Sequence, residues 1–186
     1  GYPTQDGARA AEVTFDNVKV GANDVFGDPE NGLPLVRRVV DAGIAALAAE
    51  SVGVMSAMHA LTVDYLKVRK QFGVAIGQFQ VLQHAAVDMF VAIEQARSIA
   101  LYATMMADSE DVDERARAMH AAKAEIGRGG RLCGENAIQL HGGVGMTMEY
   151  AVGHHFKRMT MIDTIFGDAD HHLRALAGKG GLFEAE

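Results

Sequence analysis

A seven-residue repeat of mostly apolar side chains is the sequence feature that most restricts the fold. Two interleaved series form it: Val40, Leu47, Val54, Leu61 and Val68, with Ile44, Ser51, Met58 and Tyr65 between them. Alternating steps of four and three residues place one stripe along a helix, and such a stripe is buried against other helices. No proline follows Pro34, so nothing interrupts the pattern. The sequence therefore predicts a helix from about Leu33 to Lys70 within a helical bundle.

Two further stripes with the same spacing predict the next two helices. The second stripe comprises Leu82, Ala86, Met89, Ile93, Ala96, Ala100 and Ala103, and the third comprises Met119, Ala122, Ile126, Cys133, Ala137 and Leu140. Four glycines interrupt the third stripe, at Gly127, Gly129, Gly130 and Gly134. Because each glycine costs roughly 1 kcal/mol of helix stability against alanine, we expect another helix or a cofactor to approach closely there.

The two ends of the chain complete the predicted architecture. A fourth helix is expected over residues 147–165, and a short last helix over residues 169–178 follows Gly167. Near the N-terminus, the alternating side chains from Val13 to Val20 predict a short β-ribbon, followed by a linker. The predicted fold class is all-α: an antiparallel four-helix bundle over residues 31–186, with a β-ribbon remnant within residues 1–30.

Charge and cysteine content exclude several classes of function. A net charge of −7 argues against nucleic-acid binding, which requires a basic face. The single cysteine, Cys133, allows no internal disulfide and is expected to be a buried small side chain. Uninterrupted apolar runs do not approach the ~20 residues of a membrane span, and the first residues do not resemble a signal peptide. We therefore expect a cytoplasmic protein without a membrane span.

Two segments carry groups suited to a dinucleotide. The first is Arg69-Lys70-Gln71-Phe72-Gly73, and the second runs from Gln139 through His141-Gly142-Gly143-Val144-Gly145. An arginine binds pyrophosphate in a bidentate manner, and glycines let backbone N–H groups approach phosphate. Each segment alone has a simpler explanation: Arg69 favours the negative end of a helix dipole, and the glycines suit a sharp turn.

Together the two segments resemble the acyl-CoA dehydrogenase family, and further matches extend the likeness along most of the chain. These matches are Phe79-Gln80, Asp88-Met89, Ala122-Lys123, Ala137-Ile138-Gln139 and Glu149-Tyr150, with Val13–Val20 and Val25-Phe26-Gly27 resembling the end of that family's middle β-domain. The resemblance implies the C-terminal portion of an FAD-binding oligomer that oxidises the Cα–Cβ bond of an acyl-CoA. It assigns FAD contacts, made across a subunit boundary, to Arg69, Phe72, Gln80, Gln139, Gly142 and Gly143.

The same resemblance exposes a missing catalytic base. Most family members place a glutamate at the position of Phe166, or of Gly167 if the alignment shifts by one residue, and a minority place it at the position of Gly43. None of these three residues accepts a proton. Asp168 is the nearest substitute, although its position favours a cap of the last helix over a base. Asp41 and Glu50, on the first helix, are more distant candidates.

Three hypotheses about function remain open at this point. The chain is an FAD-dependent acyl-CoA dehydrogenase of lipid or steroid side-chain degradation that uses Asp168, or it is a non-catalytic partner subunit that contacts FAD beside a chain with the base. The third hypothesis is a helical bundle without flavin. The resemblance further implies an acyl-CoA substrate, a homo- or hetero-oligomer such as a dimer of dimers, and electron-transfer flavoprotein as the oxidant. No metal is expected, because the adjacent histidines in His154-His155 and His171-His172 point about 100° apart on a helix.

Overall fold

The computed structural model describes residues 1–180, so residues 181–186 of the predicted bundle domain lie outside the described residues. Five helices account for most of the chain: α1 Leu33–Val68, α2 Gln80–Met106, α3 Val112–His141, α4 Ala151–Thr164 and α5 Ala169–Ala177. Two antiparallel hairpins pair β1 Tyr2–Pro3 with β2 Arg9–Ala10, and β3 Lys70–Gln71 with β4 Val74–Ala75. The predicted all-α class is confirmed, as are the existence of the first three helices and the bounds of α1, which ends two residues before the predicted Lys70.

The buried stripe of α1 follows the predicted repeat but drifts around the helix. Its members are Ile44, Ala45, Leu47, Ala48, Ser51, Val52, Met55, Met58, Thr62 and Leu66. An α-helix has 3.6 residues per turn, so a strict seven-residue repeat gradually leaves the buried face. Val68, the last position of the predicted series, is 72% exposed for this reason.

Contacts at both ends of the helices fix their directions. Near the start of α1, Asp41 lies 2.9 Å from Nε of Arg115 at the start of α3. At the other end, the ring of Tyr65 in α1 stacks on that of His141 in α3, with centroids 4.6 Å apart. The two helices therefore run parallel to each other. Helix α2 connects the end of α1 to the start of α3 and so runs antiparallel to both. The antiparallel alternation that the sequence predicts is confirmed.

The glycines of α3 give α4 its place in the bundle. A Cβ atom on Gly134 would lie 2.1 Å from the ring of Phe156, one on Gly130 would lie 2.5 Å from Met159, and one on Gly127 would lie 2.2 Å from Asp163. As the α3 residue numbers fall, those of α4 rise, so the two helices are antiparallel. The predicted close approach is confirmed for these three glycines.

The N-terminal ribbon lies at different residues from those predicted. It is formed by β1 and β2, whereas residues 11–20 form no strand and expose their apolar side chains, with Phe15 78% exposed. An alternating pattern forms a strand only where a partner strand supplies hydrogen bonds, and none of the residues 1–180 supplies one here. The real ribbon is tied to the bundle by Arg158, which pairs with Asp6 at 2.8 Å and with Glu50 at 2.6 Å.

Helix α1 also has the length and mean hydropathy of a membrane-crossing helix. Core helices of globular bundles share that property, and α1 buries ten of its residues in this bundle. The core that it forms with α2, α3 and α4 is the physical reason for its apolar composition.

Candidate functional site

The first predicted cofactor segment forms a tight hairpin after α1. Arg69 ends the helix, and β3 and β4 are joined by Phe72 and Gly73, both with positive φ, of 54° and 83°. Two consecutive positive-φ residues are the signature of a two-residue hairpin turn, and an aromatic side chain rarely occupies such a position. Phe72 is nevertheless 92% exposed, and its ring lies edge-on to that of Phe79, at 6.0 Å between centroids. A strained, exposed aromatic residue suggests a ligand or another chain.

The second segment ends α3 and turns into a 3-10 helix over Gly142–Met146. Gly142 has φ 59° and its N–H donates to the carbonyls of Gln139 and Ile138. A Cβ atom on Gly142 or Gly143 would meet no other atom within 4 Å. Both glycines and Gln139 are exposed. The backbone at this corner is therefore open to close approach from outside.

The fold brings the two corners to the same end of the bundle. Tyr65, whose carbonyl accepts the N–H of Arg69 at 2.9 Å, is the residue that stacks on His141, next to Gly142. Gln80 lies at the first turn of α2, directly after the hairpin. Within residues 1–180, the side chains of Arg69, Gln80 and Gln139 make no hydrogen bond or ion pair. An unpaired guanidinium, two free amides and open glycines suit a pyrophosphate group.

The opposite end of α1 holds the positions to which the family resemblance assigns the base. Phe166 has φ 63° and Gly167 has φ 102°, in the short loop between α4 and α5. A Cβ atom on Gly43 would lie 2.7 Å from Cε2 of Phe166. The two alternative base positions thus meet in space, and the ring of Phe166 occupies the room that a side chain at position 43 would need.

The three carboxylates that the sequence offered as substitutes all have other partners. Asp41 pairs with Arg115, and Glu50 forms a two-pronged ion pair with Arg158. Asp168 is the N-cap of α5 and accepts the N–H of His171 at 2.7 Å. That hydrogen bond lowers the pKa of Asp168 below its usual value, which makes the carboxylate a weaker base. Asp168 is exposed and remains a predicted base that no direct observation tests.

Comparison with known proteins identifies the family. A family model described as acyl-CoA dehydrogenase, C-terminal domain, matches residues 30–180. The chain belongs to the acyl-CoA dehydrogenase family. This confirms the resemblance seen in the sequence, and the family's members are oxidoreductases that act on CH–CH groups.

Individual relatives of the acyl-CoA dehydrogenase family cover most of this chain. The probable acyl-CoA dehydrogenase YngJ of Bacillus subtilis is 35% identical over 78% of the chain. A solved steroid acyl-CoA dehydrogenase, the Tcur3481–Tcur3483 G363A variant, is 32% identical over 75% of the chain, with a TM-score of 0.72. PigA, solved with FAD and proline, is 29% identical over 75% of the chain, with a TM-score of 0.65. The predicted cofactor is thereby confirmed at the level of the family. The chain spans only 38%, 38% and 36% of these proteins, respectively.

Two polar clusters near the positions that the resemblance assigns to the base have contacts that the sequence did not predict. Lys123, fully buried, donates from Nζ to the carbonyls of Ile162 and Asp163, at 2.6 and 2.9 Å, and so caps the last turn of α4. Burial lowers the pKa of Lys123 to about 8. Its place beside Ala122 in the apolar stripe was the one signal available in the sequence. The second cluster pairs His120 with His172 at 2.8 Å between their Nδ1 atoms, and no sequence periodicity indicates it.

Other features are not part of these sites. Cys133 is fully buried and its thiol pKa is raised to about 12 by burial, which confirms the packing role predicted for it. Within residues 1–180, no group of three or more His, Cys, Asp or Glu side chains is arranged to hold a metal ion. A cavity of about 720 Å³ between α2, α3 and α5 contains none of the predicted site residues.

Proposed function

We propose that this chain is the FAD-contacting subunit of a heteromeric acyl-CoA dehydrogenase whose catalytic base lies on another chain. The reaction is the FAD-dependent α,β-dehydrogenation of an acyl-CoA thioester. The observation that carries the proposal is the contact between Phe166 and Gly43. These two residues occupy the positions that the family resemblance assigns to the base, and neither can accept a proton. The nearby carboxylates Asp41 and Glu50 are held in ion pairs.

The cofactor half of the site supports the same proposal. Arg69 would hold the pyrophosphate of FAD, Gln80 and Gln139 would donate amide hydrogen bonds, and Gly142 and Gly143 leave room for the approach. Phe72 would cover the bound group from the hairpin tip. When bound, FAD supplies the acceptor for the hydride that leaves the β-carbon. All six residues are exposed at one end of the bundle, as residues that serve a site shared with another subunit must be.

A self-sufficient enzyme is the second candidate, and one observation favours it. Of the three substitute carboxylates, only Asp168 forms no salt bridge within residues 1–180, and it follows Phe166 by two positions. An exposed Asp168 on the loop between α4 and α5 would then take the α-proton itself.

Native mass spectrometry of the full-length protein purified from its own host separates the two candidates. The heteromeric proposal predicts a second, related chain in the complex and less than one FAD per chain. Substituting the base of that second chain should abolish turnover, whereas Asp168→Asn in this chain should leave turnover unchanged. A homo-oligomer with one FAD per chain, inactivated by Asp168→Asn, would establish the self-sufficient enzyme instead.

The proposal also covers the substrate, the assembly, the oxidant and the location. The likeness to a steroid acyl-CoA dehydrogenase that bears two chain names supports a bulky lipid or steroid acyl group and a two-chain assembly, such as a dimer of dimers. Electron-transfer flavoprotein is proposed as the oxidant of the reduced flavin, and the cytoplasm as the location, both from the family resemblance and the composition.

A further inference from the structure

Three aromatic rings lie between the two predicted cofactor corners. The ring of His141 stacks on that of Tyr65, with centroids 4.6 Å apart and planes inclined by 30°. Tyr150, which precedes α4, lies 4.9 Å from His141 and 6.4 Å from Tyr65. Seen from His141, the two tyrosines are therefore at about a right angle to each other. His141 is 3% exposed, so this cluster of three rings fixes its place in the bundle.

The Tyr65 side of the aromatic cluster is joined to the Arg69 hairpin through the backbone. The carbonyl of Tyr65 accepts the N–H of Arg69 at 2.9 Å, and the carbonyl of Arg69 accepts the N–H of Ile76 at 2.8 Å. These two bonds fasten Arg69 to the last turn of α1 and to the residue that follows β4. A shift of Tyr65 therefore moves the backbone that carries the guanidinium group.

The His141 side of the cluster is joined to the glycine corner. Nδ1 of His141 lies 2.7 Å from the carbonyl oxygen of Ala137, and a carbonyl only accepts, so Nδ1 donates and fixes the direction of the ring. The chain after His141 folds back on it: a Cβ atom on Gly145 would lie 3.0 Å from Cβ of His141 and 3.1 Å from the carbonyl oxygen of Ile138. The exposed Gly142 lies inside this fold, so its position depends on that of His141.

The second ring nitrogen of His141 shows which part of the side chain matters. Nε2 is buried, and no group within residues 1–180 forms a hydrogen bond with it. A buried polar atom without a partner lowers the stability of a protein, so Nε2 does not hold the ring in place. The contact that joins His141 to α1 is the stacking of its flat ring on Tyr65.

We propose that His141 is a positioning residue of the cofactor site, whose stacked ring sets the distance between the Arg69 hairpin and the glycine corner. The inference rests on the proposed FAD-contacting function and adds a residue that acts through others. A guanidinium and backbone N–H groups can bind one pyrophosphate only if packing holds them at a matched spacing. The series of contacts from Arg69 through Tyr65 and His141 to Gly142 supplies that spacing.

The test compares two substitutions at position 141 in the full-length protein in its native assembly. His141→Leu keeps an apolar side chain but removes the flat ring, whereas His141→Phe keeps the ring and removes both nitrogens. FAD is removed and titrated back while flavin fluorescence is recorded. His141→Leu should bind FAD about three- to tenfold more weakly, the effect of a lost aromatic contact. His141→Phe should bind FAD as the wild-type protein does, and it should unfold at the same or a higher urea concentration because the unpaired Nε2 is gone.

His59→Leu is the matched control for the loss of a histidine ring. His59 is a half-buried residue of α1 whose Nε2 donates to the carbonyl of Ala86 at 3.1 Å and whose ring lies 6.0 Å from that of Phe90. At 1.5 Å per residue, it is roughly 15 Å along α1 from Arg69. His59→Leu loses the same kinds of contact outside the cofactor corners, so it should keep the wild-type affinity for FAD.

A double variant tests whether the two stacked rings act as one unit. Tyr65→Leu should weaken FAD binding by a similar factor, and Tyr65→Leu combined with His141→Leu should lose no more than either single variant, because both remove the same contact. The inference is overturned if His141→Leu keeps the wild-type affinity, if His141→Phe loses as much as His141→Leu, or if the two leucine effects multiply. Arg69→Ala separates this result from the proposed function. Unchanged affinity in Arg69→Ala would show that the FAD site itself is wrong, whereas a loss in Arg69→Ala without a loss in His141→Leu would reject the positioning role alone.

Discussion

Replacing Gly134 by alanine should destabilise the bundle, although alanine is the better helix former. The new Cβ atom would lie 2.1 Å from Cδ2 and 2.6 Å from Cε2 of Phe156. These are atoms of a rigid ring, so α3 and α4 must move apart. Overpacking of a core costs about 1–3 kcal/mol, and this overlap belongs at the upper end of that range. The gain in helix propensity offsets about 1 kcal/mol. We expect a net loss of about 2 kcal/mol, measured by urea unfolding followed by far-UV circular dichroism.

The same helix provides a matched control. At Gly129, the nearest atom to a new Cβ is Cε of Met55 at 3.6 Å, an ordinary contact. Gly129→Ala should therefore stabilise the protein by about 0.5–1 kcal/mol. Phe156→Leu, combined with Gly134→Ala, should recover part of the loss by shortening the opposing side chain. Equal stability of the Gly134→Ala and Gly129→Ala variants would refute the argument that α4 requires glycine at position 134.

Three further predictions concern the site and its pH dependence. Arg69→Ala should lower FAD affinity by about 10- to 100-fold through loss of a charge-assisted contact, measured as flavin retained after dialysis, while Arg97→Ala, on the exposed face of α2, should not. Asp168→Asn should leave both turnover and unfolding unchanged, because asparagine caps a helix as well as aspartate does; a lost turnover would restore Asp168 as the base. The buried His172, with its pKa lowered to about 4, binds a proton more readily in the unfolded chain, so stability should fall as pH drops from about 6.5 to about 4. The loss is at most about 3 kcal/mol, and His172→Gln should flatten the profile seen in pH-dependent urea unfolding.

Helix-level structure was readable from the sequence because the helices are long and their apolar stripes are regular. The bounds of α1 and α5 agree with the predicted 33–70 and 169–178 to within two residues, and the predicted stripes of the second and third helices lie inside α2 and α3. The fourth helix begins at Ala151 instead of residue 147, because the turn after α3 continues as a 3-10 helix to Met146 and Thr147 bonds back to Val144. Local hydrogen bonds of that kind leave no periodic trace in a sequence.

The site was only partly readable. The Arg69 and Gly142 corners could be proposed as a cofactor site because a charged residue and glycines at helix ends have local chemical meaning, and that role stays a prediction. The contact of Gly43 with Phe166 and the pairing of His120 with His172 join residues that are distant in the chain. No sequence spacing predicts either contact, because both are determined by packing between α1, α3, α5 and the loop before α5. The N-terminal ribbon was misplaced for a related reason: the alternation of residues 13–20 says nothing about whether a partner strand is present.

The contact between Gly43 and Phe166 also has an evolutionary consequence. A glutamate at position 43 is excluded while Phe166 is present, because even its Cβ atom would lie 2.7 Å from Cε2 of that ring, so a carboxylate at position 43 requires position 166 to change first. The two sites are epistatic, and their order of change is constrained. Position 166 thus governs both positions that the family resemblance assigns to the base: one substitution there could supply a carboxylate itself or make room for one at position 43.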